Sequence, residues 1–424
     1  MILIYGKGKT GTAVKNFLDK KGIKNLIIDD EDRLPDINPQ LIIVSPGIPF
    51  YHRIYKFAKK NKIPIISDVE YGYRFFKGDV IGITGTDGKT TTTTLVYEIF
   101  KNVSGKSVFV GGNYGVPFIE TAGKNDVAIL ELSSFQLYST KTFKPKIAVI
   151  LNISKDHLDW HKKMKHYILS KFKIFKNQTE EDYLILNYDD NCLKQIKAKS
   201  QIYYFSLNQL PQDKKGIYLK NIEKSGEYIL TLQDKEKIDI KVKTSLVGLH
   251  NLQNIMASLV VSYLYGLDLD KVLKVIQEFK PLSHRIEFVS SINGVSFYND
   301  SKATTVQAVE KAIDSFDKNV VLILGGINKG GDFSVLKDKL KQKVKKAIII
   351  GRDKNQIKSM IEEYTQVELA DSLEEAVIKS YNTAEKGDTV ILSPGCASFD
   401  MFKSYADRGN QFINIVKNLE NQNG

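Results

Sequence analysis

Short apolar runs alternate with longer mixed stretches over the first part of the chain: ILIY at 2–5, NLIIDD at 25–30, LIIVSPGIP at 41–49 and IPIISD at 63–68. Runs this short, separated by helix-length spacers, predict βα repetition and a parallel sheet with helices packed on it. A new unit begins after Asp68, where VIGITGTDGKTTTTTLVYEIF at 80–100 predicts a buried strand, a glycine turn and a long helix. Further strands are expected at DVAILELSS, KIAVILNIS and DYLILN. Between about 201 and 246 the pattern changes to IYYFSL, GIYLK, EYILTLQ and IDIKVK, which predict an antiparallel β insertion. A helix pair follows, LQNIMASLVVSYLYG and LDKVLKVIQEF. From about Ser283 a third alternation, VSFYNDS, VVLILGG, KAIIIG and TVILSPG, predicts a second open α/β sheet.

Composition narrows the class. A chain of 424 residues with 42% hydrophobic and 26% charged residues is ordinary globular material, long enough for roughly three domains. The N-terminal MILIYGKGKTG passes from strand to glycine turn without the features of a secretion signal, and no stretch approaches the ~20 unbroken apolar residues of a membrane span. Cys192 and Cys396 lie far apart and suit a reducing cytoplasm. The net charge of +12 raises the question of a nucleic-acid partner. Only six of the 61 basic residues are arginine, however, and the lysines are dispersed, which favours a solvated surface and attraction of anionic substrates.

Two glycine turns carry candidate chemistry. GKGKTG, Gly6 to Gly11, lies between a predicted strand and helix, with Asp29 and Asp30 closing the next strand. That is the spacing of a dinucleotide fingerprint, whose acidic strand end can bind a ribose hydroxyl of NAD or of a UDP-sugar, so the motif leaves both open, as well as a purely structural turn. The second, TGTDGKTT, gives Gly85 and Gly88 backbone freedom, and the loop's N–H groups, backed by the helix N-terminus, can bind an anion. Lys89 reaches outer phosphates, and Thr90 offers Mg²⁺ a hydroxyl. The early glycine of the usual phosphate loop is replaced by Ile83, and Asp87 adds a negative charge. Glu131 and His157 each follow an apolar strand, where open α/β sheets place ligands, and both are candidate metal ligands.

The combination resembles the Mur ligases, ATP-dependent amide ligases of peptidoglycan precursor synthesis. The likeness rests on TGTDGKTTT, GGNYGVP, ELSSFQL, NISKDHLDWH, GLHNLQNIMA, HR at 284–285, NDSKATT, LGGINKGGDF and SPGCASFDMFKSYADRGNQF. It spans nearly the whole chain. The resemblance implies three domains: 1–68, a UDP-substrate-binding Rossmann-like parallel sheet; 69–282, a central P-loop ATPase α/β domain; and 283–424, a Rossmann-like amino-acid-binding domain. It also implies the shorter phosphate loop, an acyl-phosphate intermediate and a cytoplasmic monomer working on small molecules, without nucleic acid or membrane.

Residue roles follow from the same likeness. Gly85, Thr86, Asp87, Gly88, Lys89, Thr90 and Thr91 would hold ATP phosphates, with Asn254, Arg285 and Asp300 at adenine and ribose. Thr90, Glu131, His157 and Lys171 would serve two Mg²⁺ ions, Lys171 as a CO₂-derived carbamate. Carbamate formation needs a neutral amine, and the residues alone do not choose among Lys165, Lys171, Lys173 and Lys176. Lys9, Thr10, Asp29, Asp30 and Asn113 would meet the UDP substrate, UDP-N-acetylmuramoyl-L-alanine. NDSKATT and CASFDMFKSYADRG point to the D-glutamate-adding branch, with Lys302, Thr304, Lys329, Ser398 and Tyr405 at the amino acid. Other readings remain: a relative adding another amino acid or a folylpolyglutamate-type ligase, an NAD-dependent oxidoreductase, or a basic nucleic-acid-binding NTPase. A hinge is expected near residues 281–285.

Overall fold

The computed structural model describes residues 1–34, 38–121, 123–280 and 283–423. The chain divides into two compact units, Met1–Thr244 with Asn251–Phe279, and Ser245–His250 with Lys280–Gly424. The first unit contains two sheets and the second contains one. Among the described residues no helix is long and apolar enough to cross a membrane. The expected hinge falls partly on residues 281 and 282, outside those described.

The first sheet has four parallel strands, β1 (Ile2–Tyr5), β2 (Asn25–Ile28), β3 (Leu41–Val44) and β4 (Ile65–Ser67), in the order β2-β1-β3-β4. Side chains of successive residues leave opposite faces, so a strand buried on both sides must be apolar throughout. Ile4, Ile43 and Ile66 pack against Val14 and Leu18 of the helix Lys9–Lys20, while Leu3, Ile42 and Val44 pack against Ile54 and Ala58 of the helix Arg53–Lys60.

The central sheet has nine strands: β5 (Asp79–Thr84), β6 (Val108–Gly112), β7 (Val127–Glu131), β8 (Ile147–Ile150), β9 (Tyr183–Asn187), β10 (Gln201–Ser206), β11 (Gly216–Ile222), β12 (Tyr228–Gln233) and β13 (Lys237–Val242). Their order is β13-β12-β11-β10-β9-β8-β5-β7-β6. The segment expected to be antiparallel extends this sheet: β10 pairs parallel with both β9 and β11, and only β11, β12 and β13 alternate in direction. From β5 the chain goes to the β6 edge and returns to β7, then crosses to β8 on the other side of β5. The carboxyl end of β5 is thus the point where the connections change direction, and a crevice forms at such a point.

The third sheet is β14 (Glu287–Ile292), β15 (Val295–Asn299), β16 (Val320–Gly325), β17 (Val344–Ile350), β18 (Gln366–Leu369) and β19 (Thr389–Leu392), ordered β14-β15-β19-β16-β17-β18. Only β14 runs antiparallel to its neighbour. One face packs Leu322, Leu324 and Ile349 on Val309, Phe333 and Ile357; the other packs Ile323, Ile348 and Val390 on Val377 and Phe412.

A buried carboxylate ties the first unit together locally. Glu70, in the helix Asp68–Tyr73, has no exposed surface, and its oxygens accept bonds from the N–H groups of Lys141, Thr142 and Phe143 and the Thr142 hydroxyl at 2.6–3.0 Å. Burial raises the carboxyl's pKa, but these bonds outweigh it and the net shift is downward. The folded state therefore favours the ionised form: its stabilisation is full above the ordinary glutamate pKa and is lost as pH falls through the lowered value. Glu70→Ala, which removes the acceptor of three N–H groups, that of buried Phe143 among them, is expected to cost on the order of 3 kcal/mol in urea unfolding. Glu70→Gln should cost less and flatten the acid limb of the stability curve.

Candidate active site

β5 ends in Thr84, and the chain turns through Gly85 and Gly88 into the helix Lys89–Val103. Gly88 has φ of +78°, and a Cβ there would lie 2.4 Å from Asn254 Oδ1. Only glycine suits both the left-handed backbone and the close approach. Lys89 Nζ arches back to donate to the carbonyls of Gly85 at 3.0 Å and Thr86 at 2.6 Å. Asn152, just beyond β8, clamps the loop: its Oδ1 accepts from Thr86 N and Asp87 N, and its Nδ2 donates to Asp87 O. Thr90 and Thr91 are buried in the first helical turn, and Thr92 Oγ1 donates to Asn254 Oδ1 at 3.1 Å. Asn254 is itself buried, with Nδ2 on Asn251, so it stands behind the phosphate loop.

Of the four lysines in the 165–176 stretch, Lys171 alone is buried, at 2% exposure. It lies on the helix Met164–Phe172, and its Nζ donates to Gly85 O at 2.6 Å and lies 4.7 Å from the Tyr167 ring centre. Burial, then the charge of Lys89, push its amine well below the usual lysine range, against the opposing carboxylates of Asp156, Asp87 and Glu131. Lys173 is lowered to about 8, first by burial, and donates to Tyr138 O. The neutral amine that carbamate formation requires is therefore favoured most at Lys171.

Glu131 ends β7 beside the phosphate loop and is 2% exposed. Its Oε1 accepts from Asn113 Nδ2 at 2.7 Å, while its Oε2 is buried and has no hydrogen-bond partner among the described residues. A carboxylate oxygen so placed fits a hard divalent cation such as Mg²⁺. His157 caps the helix Leu158–His161 with φ of +53°; its Nε2 faces Asp156 Oδ2 at 3.2 Å and its ring packs on Phe135. Among the described residues no group of three or more His, Cys, Asp or Glu side chains is arranged to hold a metal; the expected set contains two such side chains.

The first sheet's glycine turn joins this region. Lys9 Nζ donates to Gly115 O at 2.5 Å, within the loop that carries Asn113, and Asn113 N donates to Glu131 O. Asp29 accepts from the N–H groups of Asp30 and Lys7, which hold its carboxyl below the usual range. Asp30 Oδ1 takes the Tyr5 hydroxyl at 2.8 Å and faces His52 Nε2 at 2.9 Å. Arg53 fastens the same turn through the carbonyls of Asp29, Asp30 and Asp32. Thr10 lies in the first turn of the helix that starts at Lys9.

In the second unit the remaining candidates sit at the carboxyl ends of β15, β16 and β19. Lys302 and Thr304 follow β15, Lys329 follows β16 and Ser398 follows β19, while Tyr405 opens the helix Tyr405–Asn423. Lys302 Nζ is 5.5 Å from the Tyr405 ring centre, Ser398 is buried, and a bridge between Ile327 and Ala397 joins the Lys329 and Ser398 loops. Thr304 and Lys329 are exposed. Asp300 is buried at the end of β15, with Oδ1 on Ile286 N and Oδ2 on the Ser393 hydroxyl. Burial pushes its carboxyl up to about 7, against the Ser393 bond and the nearby charge of Arg285.

Sequence reasoning missed Asn152, Tyr167 and Arg53. Asn152 stands at a parallel strand's carboxyl end, the criterion that singled out Glu131 and His157. Tyr167 is one helical turn before Lys171, and its hydroxyl meets Thr86 Oγ1 at 3.0 Å. Arg53 had no local signal, because its partners lie more than twenty residues away.

Residues 83–262 match the Mur ligase middle domain and residues 284–396 the glutamate ligase domain of Mur ligases. The chain is 44% identical over 389 residues to the UDP-N-acetylmuramoylalanine--D-glutamate ligase of Caldanaerobacter subterraneus subsp. tengcongensis, covering 90% of this chain and 84% of that protein. It is 40% identical to the ligase of the same name from Hydrogenobaculum sp., covering 98% of each. Its fold is similar to that of MurF ligase from Thermotoga maritima, solved in complex with ADP, with a TM-score of 0.67 at 19% identity over 100% of this chain and 95% of that one.

Two outcomes follow from this geometry. Gly88→Ala forces a left-handed alanine against Asn254 and is expected to cost about 1–2 kcal/mol in unfolding, with weakened nucleotide binding read by calorimetry. The folded protein binds the Asp300 proton more tightly than the unfolded chain does. Its stabilisation is therefore complete below about 4, the ordinary aspartate range, and is lost as pH rises toward about 7. Thermal midpoints of the wild type should accordingly fall relative to Asp300→Asn across that interval; a constant difference would refute the assignment.

Proposed function

The chain belongs to the Mur ligase family, whose members use ATP and Mg²⁺, and we propose that it joins D-glutamate to UDP-N-acetylmuramoyl-L-alanine in peptidoglycan precursor synthesis. The observation that carries the reading is Glu131: one carboxylate oxygen is held by Asn113 and the other is buried without a partner, beside a glycine loop built for phosphate. A carboxylate oxygen is a poor leaving group, and phosphorylation of the L-alanine carboxylate makes it a good one, after which the D-glutamate amine attacks and phosphate leaves. The protein's work is positioning and charge neutralisation.

In this reading the loop Gly85, Thr86, Asp87, Gly88 and the helix start at Lys89, Thr90 and Thr91 hold the triphosphate, with Lys89 on its outer oxygens. Asn254 supports the loop from behind, and Arg285 and Asp300 serve adenine and ribose. Thr90, Glu131, His157 and carbamylated Lys171 would hold two Mg²⁺ ions. Bound there, the metal supplies Lewis-acid neutralisation of the phosphate oxygens. CO₂ on Lys171 turns an amine buried beneath the loop into an anion. Its lowered basicity and near-complete burial support that role.

Lys9, Thr10, Asp29, Asp30 and Asn113 receive the UDP substrate. The chain of bonds Lys9–Gly115 and Asn113–Glu131 supports this, since it runs from the first glycine turn to the metal carboxylate. Lys302, Thr304, Lys329, Ser398 and Tyr405 receive D-glutamate, whose two carboxylates call for cations and hydroxyls. We assign these tasks to three segments, 1–68, 69–282 and 283–424, of a cytoplasmic monomer. Its cysteines, Cys192 and Cys396, are both free thiols.

The test is phosphate release with ATP, Mg²⁺ and UDP-N-acetylmuramoyl-L-alanine, comparing D-glutamate with L-glutamate, L-alanine and L-lysine. Release is expected with D-glutamate and close to background with the others; equal rates with both glutamate enantiomers would defeat the substrate assignment. Lys89→Ala should lower turnover by about a hundredfold or more, and unchanged turnover would remove the phosphate loop from the mechanism.

A further inference from the structure

Among the described residues the largest fully buried side chain is an arginine. Arg408, in the first turn of the helix Tyr405–Asn423, has no exposed surface. Three things make that placement costly. A desolvated guanidinium is expensive unless paired. The amino end of a helix is the positive end of its dipole and disfavours a cation. Its four hydrogen bonds all go to neutral oxygens: Ser301 Oγ and O, both at 2.9 Å, Cys396 O at 3.2 Å and Gly325 O at 3.4 Å. Burial pulls its pKa down to about 10, with Cys396 and Asp400 acting in the opposite sense. An apolar residue of similar volume would cost the fold less.

The bonds show where the guanidinium acts. Ser301 precedes Lys302 and lies just beyond β15; Gly325 ends β16, four residues before Lys329; Cys396 lies beyond β19, two residues before Ser398. One rigid planar group thus reaches all three strand ends that carry the amino-acid candidates. The Ser301 hydroxyl passes the connection on, donating to Tyr405 O at 2.8 Å. A planar fork with donors in fixed directions sets the spacing of three carbonyl-bearing loops in a way that a single ammonium does not.

We propose that Arg408 is a positioning residue for the acceptor pocket: its guanidinium holds the β15, β16 and β19 loops in register, so that Lys302, Lys329 and Ser398 meet both carboxylates of the amino acid at once. This rests on reading those strand ends as the D-glutamate site. Arg408 does not touch the substrate. Its buried cation also biases the pocket toward an acidic ligand.

The experiment is steady-state kinetics on the full-length enzyme for Arg408→Met and Arg408→Lys, with thermal midpoints measured alongside. Loosened loops predict a KM for D-glutamate raised about ten- to a hundredfold in the methionine variant and raised less in the lysine variant, which keeps the charge but not the fork. KM for the UDP substrate, whose candidates lie in the other unit, should stay within about twofold of wild type on the same argument. A purely structural arginine would instead lower the active fraction, and so kcat, at constant KM. A KM for D-glutamate unchanged in both variants, or a common rise in every KM, overturns the proposal; if the methionine variant does not fold, the lysine variant decides by the same criteria. Wild-type dependence on D-glutamate, measured in the same assay, tests the underlying substrate reading separately.

Discussion

A lysine cannot be taken out of water beneath a glycine loop unless it finds acceptors or gives up its proton. Lys171 does the first by donating to Gly85 O and is driven toward the second by burial and by Lys89. The loop, the strand end and the helix Met164–Phe172 are positioned around that contact. Tyr167, one turn earlier, covers the amine with its ring and meets Thr86 with its hydroxyl. The result is a buried amine whose charge is set by desolvation and by the neighbouring Lys89. That is the condition for a reversible amine-to-anion conversion.

Parallel sheets impose the surrounding arrangement. Their interiors are apolar on both faces, so polar chemistry leaves at the carboxyl ends, and there the backbone must turn sharply. Thr84 and Glu131 end β5 and β7, and Asn152 lies just beyond β8; Asn299, Gly325 and Leu392 end β15, β16 and β19. The two units solve a similar problem with different ligands in view. The first places a phosphate loop and an incompletely bonded carboxylate together, suited to metal and phosphate. In the second, a buried arginine ties together the strand ends proposed to receive the amino acid's carboxylates.

The strands that the sequence revealed are mainly those whose composition is dictated by burial, such as Leu41–Val44, Val127–Glu131 and Val320–Gly325. Those it hid, Val108–Gly112, Glu287–Ile292 and Gln366–Leu369, are all edge strands. One neighbour and partial exposure leave them free to carry serine, glutamate or glycine, so no apolar run announces them. The direction of β10 was hidden for another reason: side-chain alternation is the same in parallel and antiparallel pairs. In the candidate site, glycine turns and strand-end residues were readable because they are local. Arg53, Asn152 and Arg408 work through partners 12 to 107 residues away, and Lys171 differs from its neighbouring lysines only by burial.

One device recurs where these distant partners meet. Lys89 and Lys171 both donate to the carbonyl of Gly85, Lys9 to that of Gly115, and Arg408 to that of Gly325. Each glycine has a positive φ, at 157°, 76° and 118°, and glycine surrenders more chain entropy than any other residue when it is fixed. A turn that must be glycine for steric reasons is therefore the turn most in need of an external tether. A donor at its carbonyl supplies one, and at Gly85 and Gly325 the Lys89 and Arg408 donors do so at a strand end. The lysine-rich composition thus bears on function through a few basic residues anchored at glycine turns, while dispersed lysines such as Lys15, Lys220 and Lys241 pair with carboxylates on the surface.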